Sequence, residues 1–79
     1  MSFGRKRALE RLAGLRPQVE DHLQKLATMP QHREADHWRG EVESWLRQMS
    51  AMLRHIGKKT AAKWGRWIDE VRARLAAIR

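Results

Sequence analysis

Apolar side chains recur at helical spacing along most of this chain. From Ala35 through Trp38, Val42, Trp45, Met49 and Met52 to Ile56 the intervals run 3, 4, 3, 4, 3, 4. Leu46 and Leu53 widen that stripe on one flank, as in a helix that touches two neighbours. Ala61, Trp64, Ile68, Val71, Leu75 and Ile78 repeat the pattern with intervals of 3, 4, 3, 4, 3. Neither stretch alternates with the period of two that a strand requires. Both are helical.

Turn chemistry sets their ends. Gly57 follows Arg54 and His55, which suits a left-handed glycine closing the middle helix with cations in its last turn. Thr60 suits the N-cap of the last helix, leaving a connection of Gly57-Lys58-Lys59. Connections that short join antiparallel neighbours. Upstream, Thr28-Met29-Pro30-Gln31-His32 interrupts the pattern, and Pro30 fits the first position of the middle helix, with Glu34 and Asp36 in its early turns. The pattern predicts helices over 31–56 and 60–78.

The first third is less regular. Leu9, Leu12, Val19, Leu23 and Leu26 share a face, but the slot between Leu12 and Val19 holds Arg16, and Pro17 follows it. Proline inside a helix removes one hydrogen bond and clashes with the carbonyl four residues back, at ~3 kcal/mol. It also disfavours helical geometry at the residue before it, here Arg16. Either one kinked helix covers 3–28, or a short helix ends near Gly14 and another begins at Pro17. The run Leu15 to Glu20 makes a good helix start and favours a break or sharp kink near 14–17. The expected fold is all-α, a small antiparallel up-down-up three-helix bundle forming one domain over 1–79. Trp38, Trp45 and Trp64 supply the bulk of its seam.

Composition narrows the chemistry. The 79 residues contain no cysteine, which excludes a disulfide scaffold, a cysteine-ligated zinc module and thiol catalysis. No apolar run approaches the ~20 residues of a membrane span, and no hydrophobic stretch follows the basic start Met1 to Arg7 to make a secretory signal. The expected location is cytoplasmic.

Charge is the stronger clue. Seventeen Lys and Arg against nine Asp and Glu give a net charge of +8. Residues 1–16 carry +4 and 57–79 carry +5, whereas 17–32 carry −1 and 33–56 are balanced. In an up-down-up bundle the start of the first helix, the end of the second and the start of the third meet at one pole. That pole gathers Arg5, Lys6, Arg7, Arg54, His55, Lys58, Lys59, Lys63 and Arg66. A one-ended positive field suits phosphates or an acidic partner. The bland alternative is that these side chains only keep a small surface hydrated, since a net charge up to ~8 is ordinary.

Local motifs add little. The stretch Leu53 to Ile68 has the glycine turn and basic following helix of a helix-turn-helix, but the helix before it is too long, and Gly57 to Thr60 reads as a plain connecting turn. Trp64 and Trp67 beside Lys63 and Arg66 form a candidate aromatic-basic platform for bases or lipid. Trp64 lies on the seam, so Trp67 is the tryptophan expected to be partly exposed. Glu34 and His37 have the Glu-x-x-His spacing of di-metal bundles, but a second motif and inward-facing glutamates are missing. No metal or cofactor is expected. Ser44 and Ser50 have no triad partners, and neither tyrosine nor a glycine-rich phosphate loop occurs, so no catalysis and no small-molecule substrate are expected.

The expected function is a small non-enzymatic binding module whose basic pole contacts nucleic acid, through Arg5, Lys6, Arg7, Arg54, Lys58, Lys59, Lys63, Arg66 and Trp67. The alternative is a protein-interaction module (an adaptor, inhibitor or small subunit) that docks an acidic protein surface or forms a homo-oligomer.

Overall fold

The structure, a computed structural model, describes residues 4–78. Three α-helices form the bundle: α1 over Arg5–Thr28, α2 over Ala35–Met52 and α3 over Lys58–Ala77, with a 3-10 turn at Leu53–His55. The expected helix start at residue 3 lies outside the described residues. The main interface is between α1 and α2, whereas α3 is held most closely through the 3-10 turn. Cross-helix contacts fix the registers. The Arg11 guanidinium donates to Gln48 Oε1 at 2.9 Å, and His22 meets Trp45 edge-on at 4.8 Å between centroids. Arg39 on α2 donates to the carbonyls of Leu75 and Ile78 at 2.9 and 2.7 Å. The Leu75 carbonyl also accepts the Ile78 N–H at 3.2 Å, so the guanidinium adds a second donor there and holds the C-terminal end of α3 against α2.

The core is apolar throughout. Ala8, Leu12, Leu15, Val19, Leu23 and Leu26 come from α1; Trp38, Val42, Leu46 and Met49 from α2; Ile56 from the connection; Ile68, Val71 and Leu75 from α3. This corrects the seam at two places. On α1, Leu15 rather than Arg16 fills the slot before Val19, and Leu9 is only half-buried. A shift of one residue turns the helix by about 100°, which brings Arg16 to the edge of the interface. On α2, Leu46 takes the central place and Trp45 moves to the flank, half-buried. Of the four tryptophans only Trp38 is buried, and Trp64 is half-buried like Trp67.

The break expected near residues 14–17 is absent, and α1 runs unbroken through Pro17. Pro17 and Ala13, whose carbonyl loses its donor, both lie on the exposed face, so water satisfies what the helix cannot. Leu15 and Val19 are buried on either side, and breaking the helix would expose one of them. At ~1.5–3 kcal/mol for each large side chain, their burial outweighs the proline penalty. Pro17→Ala is therefore expected to raise stability by about 2 kcal/mol in urea unfolding, since the restored helix bond is partly offset by a freer unfolded chain.

The helix ends also differ from expectation. Residues 30–34 form turns, so Pro30 precedes α2 instead of starting it. The Glu34 N–H donates to His32 Nδ1 at 3.0 Å and the Ala35 N–H to the His32 carbonyl at 2.9 Å. The His32 ring stacks on Trp38 at 4.8 Å, which anchors this turn to the core. At the other end Gly57, not Thr60, caps α3, and its carbonyl accepts the Ala61 N–H at 2.9 Å. Its φ of 83° and ψ of 156° fall in a region that only glycine occupies readily. A Cβ there would meet nothing within 4 Å, so the cost of Gly57→Ala is one of backbone strain alone. That substitution is expected to lower stability by about 1–3 kcal/mol, read as a lower thermal midpoint.

Candidate functional site

Antiparallel packing of α2 between the two parallel helices brings the first turns of α1 and α3 to one end, beside the 3-10 turn. Arg5, Lys6 and Arg7 stand in the first turn of α1, Lys58 and Lys59 in that of α3, and Arg54 in the 3-10 turn; all are exposed. Lys63 and Arg66 are exposed further along α3, and Trp67 is half-buried. The expected pole is thus assembled by five residues from helix starts and one from the turn, while Lys63, Arg66 and Trp67 run down the flank of α3. His55 is half-buried at the same end.

A cut across the middle of the bundle, near residues 16, 44 and 68, separates the charges. The half that contains the pole carries eleven Lys and Arg and a single carboxylate, Glu10. No acidic residue occurs between Glu43 and Asp69. Among the described residues the other half carries five basic and eight acidic side chains. The ion pairs follow the acids. Lys25 with Asp21, His37 with Glu41, and Arg72 with Asp69 all lie in that second half. By contrast Arg5, Lys6, Arg7, Arg54, Lys58, Lys59, Lys63 and Arg66 have no acidic partner among the described residues.

Helix dipoles add to the same sign. The N-terminus of a helix carries about half a positive charge and favours Asp or Glu in its first turn. α2 follows that rule with Asp36, but α1 and α3 have no acidic residue in their first turns and have Arg and Lys instead. The two helix starts that meet at the pole are the two that depart from it.

Below the pole, α3 stands off from its neighbours and leaves two clefts. One, of about 210 Å³, lies between α1 and α3 and is lined by Arg16, Lys63, Trp64 and Trp67. Here the Arg16 guanidinium carbon sits 5.8 Å from the Trp64 ring centroid and 5.2 Å from that of Trp67. The two indoles meet edge to face at 5.7 Å. The other, of about 340 Å³, lies between α2 and α3, with Leu46 and Leu75 flanked by Arg39, Glu43, Arg47 and Arg72. Arg16 was not among the expected site residues. Its signal was a cation in an otherwise apolar helical slot, which the shifted α1 register turns into an edge position over the tryptophans.

The histidines do different work. His37 is exposed and pairs through Nε2 with Glu41 Oε1 at 3.0 Å, not with Glu34. His22 Nε2 lies 3.2 Å from the same oxygen, while its Nδ1 is buried with no hydrogen bond, 3.7 Å from Asp21. Among the described residues no group of three His, Asp or Glu side chains could hold a metal ion, and no helix is long and apolar enough to cross a membrane.

Comparison with known proteins adds no relative: no family model, curated protein or solved structure matches the chain.

Proposed function

We propose that this chain is a small, non-enzymatic, cytoplasmic nucleic-acid-binding module that grips phosphates with its basic pole. The observation that carries this reading is the pairing of two helix N-termini with Arg5, Lys6, Arg7, Lys58 and Lys59, none of which has an acidic partner among the described residues. Like-charge crowding at positive dipole ends is unfavourable in the free protein and is relieved by a bound polyanion. Arg54, Lys63 and Arg66 extend the surface along the turn and α3. The pole itself has little to offer an apolar partner, because Met29, the one large hydrophobic side chain in the exposed class among the described residues, lies at the opposite end.

The test is a salt titration of binding to a labelled oligonucleotide. Each phosphate contact releases counterions, so log K should fall steeply and linearly with log salt. A flat salt dependence, or no binding at low salt, would rule the reading out. The second reading is a protein partner or a second copy of the chain. It draws on the larger cleft between α2 and α3, where an apolar floor lies among three arginines. Size-exclusion chromatography without nucleic acid separates the two, since a stable complex or dimer supports the second reading alone.

A further inference from the structure

A phosphate-binding pole by itself does not distinguish duplex from single strand. The cleft between α1 and α3 does, because only an unpaired base can reach an indole face. Four features meet there. Trp64 and Trp67 are half-buried and set edge to face, so each ring rests against the other in the unbound chain. The Arg16 guanidinium, itself a flat cation, already lies against both rings. Lys63 lines the same cleft with no acidic partner among the described residues. Lys59, Lys63 and Trp67 stand at intervals of four along α3, so one strip leads from the pole into the cleft.

From this geometry we infer that the Arg16–Lys63–Trp64–Trp67 cleft is a base-stacking subsite, and that the module prefers single-stranded to duplex nucleic acid. The inference rests on the basic pole being a phosphate-binding surface. An unpaired base takes the place of the Arg16 guanidinium on Trp67. The displaced guanidinium turns to the adjoining phosphate, and Lys63 meets the next one. Little opposes that movement. Arg16 is held otherwise by Glu20, at 2.9 Å, and both side chains are about half exposed (51% and 49%), where an ion pair contributes little. The cleft, at about 210 Å³, is smaller than the ~300–1,000 Å³ of ordinary ligand pockets. It suits one flat ring of a longer ligand whose remaining contacts lie elsewhere. Stacking of this kind tolerates every base, so sequence preference is expected to be slight.

The test uses the whole chain with a labelled mixed-sequence oligonucleotide, either alone or annealed to its complement, at matched salt. The single strand should bind at least about tenfold more tightly than the duplex, consistent with one good stacking contact. Trp67→Ala should weaken single-strand binding roughly five- to a hundredfold while leaving duplex binding within about twofold. The indole itself meets no phosphate, so the salt dependence should become shallower by at most about two in slope, the share of Arg16 and Lys63. Trp67→Phe should retain most of the single-strand affinity, and it preserves an aromatic filling should the alanine variant melt early. Equal affinity for the two forms, or Trp67→Phe and Trp67→Ala weakening both forms alike, overturns the stacking subsite and leaves the pole standing. Failure to bind either form at low salt overturns both.

Discussion

Replacing Lys58 and Lys59 together with glutamate is expected to weaken oligonucleotide binding about a hundredfold at low salt. The same chain should melt at the original temperature or slightly above it. The first effect follows from the loss of two phosphate contacts and their reversal in sign; each tenfold corresponds to about 1.4 kcal/mol. The salt dependence should become shallower by about two in slope, one for each lysine removed. The second effect follows from position. Both side chains are exposed in the first turn of α3, outside the core and without an acidic partner among the described residues. Glutamate there complements the helix N-terminus and relieves repulsion within the pole, each worth a few tenths to about 1 kcal/mol. Fluorescence anisotropy across a salt series, with a thermal melt of the same sample, reads both effects. Unchanged affinity would remove the pole from the binding surface. Early melting would mean that the turn has a structural role for which its exposed lysines give no reason.

The pole was legible from sequence because it depends on topology alone. Once α2 and α3 are recognised by their spacing, and the connection at Gly57 is seen to be short, the start of α3 must return to the end where α1 begins. No side-chain packing enters that step. The cleft was less legible. It depends on which residue of α1 faces α3, and two apolar stripes compete there. Leu12, Val19, Leu23 and Leu26 belong to both, and the choice between Ala8 with Leu15 and Leu9 with Arg16 is decided by neighbours far away in sequence. Choosing Leu9 left Arg16 as an anomaly, whereas choosing Leu15 makes it a partner of Trp64 and Trp67.

Similar competition explains the other differences. Pro30 and Thr60 are good local signals for helix starts, but the structure begins α2 five residues after the proline and α3 two residues before the threonine. Stacking of His32 on Trp38 sets the first boundary, and the glycine-only backbone of Gly57 sets the second. The continuity of α1 through Pro17 has the same origin. The local penalty is real, but it is smaller than the tertiary gain from keeping Leu15 and Val19 on one buried face.

Trp38→Ala is expected to unfold the chain at room temperature or nearly so, at a cost of roughly 3–5 kcal/mol. Domains of this length have only a few kcal/mol of net stability. Trp38 is the largest side chain in the core, 8% exposed, and the other three tryptophans are all more open. His32 stacks on its ring, and the Lys25 ammonium lies 5.7 Å from its centroid. Removing it leaves a cavity and frees the turn before α2, because the hydrogen bonds of His32 to Glu34 and Ala35 lose the ring against which the histidine rests. Trp45→Ala is the informative comparison. Its indole is only half-buried on the flank of α2, against His22, so its removal exposes less core and is expected to cost about half as much. Urea unfolding of the two variants at one temperature measures the difference. If Trp45→Ala proves the more damaging, α2 is rotated from the register described, and Leu46 no longer holds the central place in the core.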